Sequence, residues 1–405
     1  MGIFSHNKEK GKLVLVFYIG SSSVGGALFL TQKSGIPKII FSVREPISLE
    51  KDIEAGRFFT LTIQALNLVV STIHKSGLGA PSEIYCVLSS LWYVSQTRIV
   101  KLEKNTPFIF NAKFADELMN KEKALFVEEY ATKYANSGIK TRIIELKNIK
   151  TMMNGYETTN PLNQKALDLE MSLFISMSEE ETLKKIEETI GLHFHPRGIK
   201  FFTFTFASFA VVRDMHLKNE DFLLVNIGGE VTDISMVKKN ILSESVSFSL
   251  GVNFMIREVA AHSSCSLSEA KSCISLLKDD HATSAVTTKI APIINKIKMD
   301  WLTRFQASLA NLSNDISVPS TIYLSVDKEL ATFFEEIIRN EQFNQYTLTE
   351  SKFEIIYLST EMFHGMAVFE ENVVRDLFLI MDAIYVNRFL KNPAHQIEQG
   401  AIEQI

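Results

Sequence analysis

The chain has 405 residues, of which 46% are hydrophobic and 22% are charged, and its formal net charge is −5. This composition predicts a folded globular protein with room for two to four subdomains, and it excludes a disordered chain. The acidic balance argues against nucleic acid as the main partner, because binding a phosphate backbone requires a basic face. The three cysteines show no Cys-x-x-Cys spacing, which favours free thiols over disulfides or zinc.

The sequence contains no apolar run that approaches the roughly 20 residues of a membrane-spanning helix. The apolar segment at residues 13–19 is short and leads into a glycine turn, so it predicts a strand and not a secretory signal. Residues 395–405 carry no basic amphipathic face that could anchor the chain. We therefore expect a cytoplasmic protein, with any association at the inner face of the cell membrane being indirect.

Two segments share one pattern, in which an apolar strand is followed by a turn of small residues and a second strand. The first has its turn at residues 20–23 and returns as a strand over 24–30. The second is FLLVNIGGEVTDISMV, residues 222–237, with Gly228 and Gly229 in the turn. Glycine allows positive φ in tight turns, and such a turn directs N–H groups into a small space that suits a phosphate. The alternative for each segment is a plain β-hairpin without a ligand.

Hydrophobic periodicity and turn residues predict the other elements. Helices are predicted over 48–75, 113–134, 178–190, 209–216, 253–262, 266–277, 291–309, 329–339 and 373–389. Strands are predicted over 83–102, 141–153, 166–177, 200–206, 241–250, 321–325 and 353–358. The stretch between about 83 and 178 therefore forms a strand–helix–strand–strand unit, in which Asn154-Gly155 marks a hairpin.

This order of elements resembles the actin–Hsp70–sugar kinase superfamily and, within it, the bacterial branch that contains FtsA and PilM. The segment IGSSSV, residues 19–24, resembles the first phosphate loop of that branch, and NIGGEVTDI, residues 226–234, resembles the second. The strand–helix–strand–strand unit lies where this branch inserts its SHS2 subdomain, which is called 1C in FtsA. The resemblance covers roughly residues 12 to 370.

The resemblance implies an α/β fold with duplicated RNase H-like lobes of the actin/Hsp70 type and an inserted SHS2-type subdomain. The expected first lobe spans 11–82 and resumes at about 179–215 and in the C-terminal helices. The inserted subdomain is expected at 83–178 and the second lobe at 216–370. A C-terminal helix and tail would occupy 371–405.

The resemblance also implies a site for ATP and Mg²⁺ between the lobes. The candidate nucleotide contacts are Gly20, Ser21, Ser22, Ser23, Asn226, Gly228, Gly229, Thr232 and Gly251. The family places an aspartate before each glycine turn, where this chain has Tyr18 and Asn226. Tyrosine cannot act as a hard carboxylate ligand, and asparagine offers an oxygen without charge. No glycine lies between Gly251 and Gly365, although the family has a late Gly-Gly loop near the adenosine.

These departures predict that ATP and Mg²⁺ bind weakly or not at all, and they identify no catalytic residue and no metal site. The expected function is a scaffold that links a membrane-associated machine to protein partners, as FtsA-like proteins do in cell division. A PilM-like role in type IV pilus assembly is the alternative, and an active ATPase or kinase of the superfamily is the second. The expected partners are a tubulin-like division protein or the tail of a pilus membrane protein, and self-association stays open.

Overall fold

The computed structural model describes residues 11–133, 138–278, 284–312, 317–327, 330–340 and 352–390, and three β-sheets organise this part of the chain. The strands are β1 Leu13–Ile19, β2 Ser23–Leu30, β3 Lys38–Pro46, β4 Glu83–Leu88, β5 Val94–Phe110, β6 Thr141–Met153, β7 Tyr156–Glu157, β8 Gln164–Glu179, β9 Ile199–Thr203, β10 Phe222–Ile227, β11 Thr232–Lys238, β12 Ile241–Phe248, β13 Thr321–Val326, β14 Glu354–Tyr357 and β15 Val368–Phe369. The helices are α1 Ala55–Lys75, α2 Ala112–Lys133, α3 Glu180–Gly191, α4 Phe204–Met215, α5 Val252–Ser263, α6 Leu267–Lys278, α7 Ser284–Leu312, α8 Ala331–Asn340 and α9 Leu377–Tyr385.

The first lobe is a six-stranded sheet with the order β15-β3-β2-β1-β4-β9. Strand β1 is apolar along its length because helices cover both faces of the sheet. Leu15 and Phe17 belong to the core cluster formed with α1 and α3. Val14 and Val16, which alternate with them, belong to the cluster formed with α4 and α9.

The second lobe repeats this arrangement in a five-stranded sheet with the order β12-β11-β10-β13-β14. Strand β10 pairs antiparallel with β11 and parallel with β13, as β1 pairs with β2 and β4. Leu223 and Val225 pack toward α5, α7 and α8, whereas Phe222 and Leu224 join the cluster around α4 and α9. Helices α4 and α9 therefore form a shared apolar layer between the two lobes.

The inserted unit is a four-stranded sheet with the order β5-β8-β6-β7, and α2 packs on it. Its elements follow the predicted strand–helix–strand–strand order, with the two-residue strand β7 added after the hairpin at Asn154-Gly155. Asn154 and Gly155 both have positive φ, as this tight turn requires. The assignment of this unit to the SHS2 type stays a prediction.

The strand pairing differs from several of the predicted element assignments. Strand β4, predicted as the start of the inserted unit, lies in the first sheet between β1 and β9. Its residues are buried on both faces, which explains the unbroken apolar run. Strand β3 was not predicted, and β15 pairs with it although 216–370 was assigned to the second lobe. We therefore propose that the inserted unit begins at β5, and the domain limits stay predictions.

Three helix starts also differ from the sequence prediction. Helix α1 begins at Ala55, not at residue 48. Residues 204–206, predicted as strand, form the first turn of α4, because the Thr203 hydroxyl accepts a hydrogen bond from Phe206 N at 3.4 Å and caps the helix. The last helix begins at Leu377, where Asp376 provides the cap. The predicted tail at 391–405 lies outside the described residues.

A buried carboxylate joins the inserted unit to the first lobe. Glu145 of β6 is 3% exposed, and its Oε2 accepts hydrogen bonds from Thr203 N at 2.9 Å and Thr203 Oγ1 at 2.6 Å. Ser176 Oγ of β8 also donates to it, at 3.3 Å. Within the described part of the chain, the Glu145 Oε1 atom has no hydrogen-bond partner. Burial raises the pKa of Glu145 from 4.5 to about 7, although the Thr203 bonds and Lys147 oppose the shift.

This raised pKa predicts a pH-dependent stability. The folded state binds the Glu145 proton more tightly than the unfolded chain does, so the free energy of unfolding falls as pH rises between about 4.5 and about 7. Glu145→Gln retains an acceptor oxygen and removes the charge. We expect it to exceed the wild type in stability at pH 8 by up to roughly 3 kcal/mol, and to match it at pH 4.

Urea denaturation at several pH values measures this difference. Glu103→Gln, which changes an exposed glutamate of β5, is the matched control and should follow the wild type. A Glu145→Gln variant with the same pH dependence as the wild type would show that Glu145 does not titrate in this window.

Candidate functional site

The turns of the two hairpins lie directly against each other between the lobes. Ser21 Oγ of the first turn accepts a hydrogen bond from Glu230 N of the second turn at 3.1 Å. A Cβ atom added at Gly228 would lie 2.7 Å from Ser21 Oγ, and one added at Gly229 would lie 2.6 Å from Ser21 O. Both glycines are therefore required by the close approach of another segment of the same protein.

Each turn also closes on itself through its own backbone. Gly20 N donates to Ser23 O at 3.0 Å, and Gly228 N donates to Val231 O at 2.9 Å. A phosphate-binding turn needs N–H groups directed outward to the anion. These two N–H groups are instead bonded within the hairpins.

The N-terminus of α5 is bonded to the second turn in the same way. Val252 N donates to Gly228 O at 2.9 Å, and Asn253 N donates to Gly229 O at 2.8 Å. A Cβ at Gly251 would lie 2.4 Å from both carbonyl oxygens, so only glycine fits there. A free helix N-terminus attracts anions through such N–H groups, but at α5 the protein supplies the acceptors.

Tyr18, at the first position where the family has an aspartate, belongs to the apolar layer between the lobes. Its ring stacks on Phe378 with centroids 4.8 Å apart and meets the edge of Phe204 at 5.3 Å. Burial raises the pKa of Tyr18 well above its ordinary value, so the side chain stays neutral. The position therefore contributes packing and no negative charge.

Asn226, at the second of these positions, links three neighbouring strands. Its Nδ2 donates to Asp233 Oδ2 of β11 at 3.3 Å, and its Oδ1 accepts from Ser325 Oγ of β13 at 3.1 Å. Both polar atoms of the amide thus have partners in the second sheet.

The Thr232 side chain does not join the other predicted nucleotide contacts. Its hydroxyl donates to Leu250 O at 2.7 Å and accepts from Trp301 Nε1 of α7 at 3.2 Å. The side chain is fully buried in the second lobe, where it secures α7 against the sheet.

Two arginines that the sequence analysis did not identify connect the lobes around these turns. Arg44 of β3 donates from Nε to Ser23 Oγ at 2.5 Å, from Nη1 to Asp376 at 2.8 Å and from Nη2 to Asp327 at 3.2 Å. Asp327 follows β13 of the second lobe, and Asp376 caps α9. The contact depends on β3, which has no clear periodic signal in the sequence.

Arg257 of α5 forms the second connection. Its two terminal nitrogens bind both carboxylate oxygens of Glu230, at 2.9 and 2.5 Å, and its Nε donates to Glu50 O of the first lobe at 2.9 Å. Asn253 Nδ2 adds a hydrogen bond to Glu230 Oε1 at 2.7 Å. Paired arginine–carboxylate bonds of this kind are strong and directional, so Glu230 and Arg257 hold the second turn, α5 and the first lobe in one arrangement.

A cleft of 360 Å³ remains beside the turns. Its walls come from both lobes and include Ser22, Ser23, Arg44, Ile47, Ile256, Lys271, Ile274 and Asp327. Its volume is within the range of small-ligand pockets. However, three N–H groups of these turns, those of Gly20, Gly228 and Glu230, already have acceptors within the protein. Tyr18 and Asn226 provide no carboxylate for Mg²⁺.

The described ranges contain neither a cluster of metal-binding side chains nor a helix that could span a membrane. No group of three or more His, Cys, Asp or Glu side chains there could hold a metal ion. No helix in the same ranges is both long and apolar enough to cross a membrane.

The chain is similar to known proteins in its structure only. No family model matches the chain, and no curated protein matches it. A chain of the PilM–PilN type IV pilus biogenesis complex is 13% identical with a TM-score of 0.59, and the match covers 94% of this chain and 98% of that chain. This similarity confirms the predicted two-lobed, actin-like α/β fold.

Two other solved structures are more distant. The ethanolamine utilization protein EutJ from Carboxydothermus hydrogenoformans is 10% identical with a TM-score of 0.41, covering 93% of this chain and 89% of that one. A Bacteroides thetaiotaomicron protein with an actin-like ATPase fold and unknown function is 8% identical with a TM-score of 0.40, covering 95% and 99%.

The contact between the turns predicts different effects for two adjacent serines. Ser21→Ala removes the acceptor of the buried Glu230 N–H, so we expect the free energy of unfolding to fall by about 1–3 kcal/mol. Ser22→Ala changes a half-buried side chain on the cleft wall and should cost about 0.5 kcal/mol or less. Urea denaturation of both variants measures the difference, and equal losses would contradict the role assigned to Ser21.

Proposed function

We propose that the chain is a non-catalytic, actin-like scaffold that links a membrane-associated machine to protein partners, with nucleotide binding weak or lost. The observation that supports this most directly is the contact between the two turns. Five N–H groups, of Gly20, Gly228, Glu230, Val252 and Asn253, have acceptors within the protein. An anion that bound these N–H groups would have to displace their present acceptors. Leaving a buried donor or acceptor unpaired costs about 1–3 kcal/mol.

The competing function is that of an ATPase or kinase of the same superfamily. Phosphoryl transfer depends on Mg²⁺ and donor groups positioned around the phosphates. At the two positions where the family supplies metal-binding carboxylates, this chain has Tyr18 in an aromatic stack and Asn226 bonded to its neighbours. These contacts favour the scaffold.

A groove between the first lobe and the inserted unit is the partner site that we propose. It has a volume of 440 Å³. Its walls include Phe59 of α1, Leu91, Trp92, Tyr130 of α2, Ile139 and Met177 of β8. Leu91 and Ile139 are 40% and 46% exposed, so an apolar segment of another protein could cover them.

Two machines are candidates, and each implies a partner. The division ring implies a tubulin-like protein, and the type IV pilus platform implies the short tail of a membrane protein. The solved chain with a TM-score of 0.59 belongs to a PilM–PilN type IV pilus biogenesis complex, which supports a protein partner of the second kind. In both cases the chain would work in the cytoplasm, peripheral to the inner face of the membrane, and self-association is a further proposal.

Binding of the two candidate partners to a Leu91→Glu variant tests this function. A charge on the groove wall should lower affinity for the true partner at least tenfold, because the carboxylate would be desolvated without a counter-ion. Leu192→Glu is the matched control, since Leu192 is 72% exposed outside the groove walls. Affinities measured by calorimetry should be the same with and without Mg-ATP.

Two results would contradict the proposal. One is equal affinity of the wild type and the Leu91→Glu variant for the partner, which would place the interface elsewhere. The other is partner binding that appears only with Mg-ATP, which would indicate a nucleotide-controlled protein.

A further inference from the structure

A third cavity, of 630 Å³, lies where the inserted unit, the first lobe and the second lobe meet. Hydroxyl groups dominate its lining, with four serines, one threonine and two tyrosines. The serines include Ser245 and Ser247 of β12, and the tyrosines are Tyr93 and Tyr130. A cavity with this lining is suited to a polar ligand that donates hydrogen bonds.

Asp233 of β11 is the buried charged group of this cavity. Its side chain is 7% exposed and accepts hydrogen bonds from Ser247 Oγ at 2.7 Å and Asn226 Nδ2 at 3.3 Å. Both donors are neutral. Within the described ranges, no lysine, arginine or histidine forms an ion pair with Asp233. Burial raises the pKa of Asp233, which is the cost of holding a carboxylate without a counter-ion.

The charged groups at the rim do not supply the missing cation. Glu129 of α2 lines the cavity and binds Arg98 of β5 at 2.9 Å. Arg98 also binds Glu122 at 2.8 Å, so one cation is shared between two carboxylates. Together with Asp233, the region holds an excess of negative charge.

We propose that this cavity is a binding site for a guanidinium or ammonium group, with Asp233 as its counter-charge. Such a group carries several N–H donors, which the Asp233 carboxylate and the surrounding hydroxyl oxygens can accept. The rings of Tyr93, Tyr130 and Phe126 line the same space, and aromatic faces attract organic cations. A bare metal ion is a poorer match, because a metal needs several ligands close together and no cluster of such side chains occurs in the described ranges.

The cation could be a free small molecule or the side chain of an arginine or lysine in another protein. The chemistry at Asp233 is the same for both sources. The proposal does not depend on the identity of the scaffold's partner, because the cavity is formed by residues of this chain alone.

The test uses an arginine tripeptide with blocked ends, acetyl-Gly-Arg-Gly-amide, and its citrulline counterpart. Citrulline has nearly the same shape but no charge, so the pair isolates the counter-charge in the wild-type protein. Calorimetry should show saturable binding of the arginine peptide and at least tenfold weaker binding of the citrulline peptide. Agmatine, titrated in parallel, identifies the source: affinity equal to that of the peptide indicates a free small cation, and weaker affinity indicates a side chain of a protein.

Two variants then locate the site. Asp233→Asn keeps an acceptor oxygen and should weaken binding of the arginine peptide at least tenfold. Asp221→Asn, at the far end of the same hairpin, keeps the acceptor for Lys239 N and should bind like the wild type. Equal binding of the two peptides, no saturable binding of either cationic probe, or full affinity in Asp233→Asn would overturn the proposal. The peptide comparison stands even if Asp233→Asn fails to fold.

Discussion

The contact between the Ser21 turn and the Gly228–Gly229 turn is the constraint on which the rest of the structure depends. It brings one tight turn from each lobe together with no intervening side chain at the two glycines. The same second turn accepts the first N–H groups of α5, so one backbone arrangement fixes the approach of the lobes and the start of the helix. Helices α4 and α9 then fill the space behind the turns with an apolar layer that both sheets share.

Two positions where the family has metal-binding aspartates hold Tyr18 and Asn226 in this chain. Both residues are consistent with turns that contact each other within the protein. Tyr18 extends the apolar layer toward the turns, and Asn226 connects β10 to its two neighbouring strands. The charge-assisted contacts of Arg44 with Asp327 and of Arg257 with Glu50 O connect the lobes at the sides. These contacts join the lobes through residues of the chain itself, and a groove and a polar cavity lie beside the inserted unit.

Local pattern was sufficient to predict the two hairpins and the inserted strand–helix–strand–strand unit, and the resemblance of this order of elements to a known superfamily predicted the actin-like fold. The site was harder to predict because its decisive contacts join residues far apart in the chain, such as Ser21 with Glu230 and Arg44 with Asp327. A Gly-Gly turn indicates that another group lies close to the backbone. A phosphate and a second segment of the protein both require the absence of a Cβ atom there. The sequence therefore identified the turns but not the group that each turn contacts. The prediction assigned β4 to the inserted unit and missed its pairing with β1, because this contact also joins residues far apart in the chain.

Hydrogen–deuterium exchange tests most directly whether the N–H groups of the turns are bonded within the protein. The measurement compares the amides of Gly228, Glu230, Val252 and Asn253 with and without Mg-ATP. Exchange reports how often a hydrogen-bonded amide opens. Because these N–H groups have acceptors within the protein, we predict slow exchange in the absence of nucleotide and unchanged rates when Mg-ATP is added. Fast exchange without nucleotide, followed by protection with Mg-ATP, would show that the turns are an open phosphate site and would contradict the account.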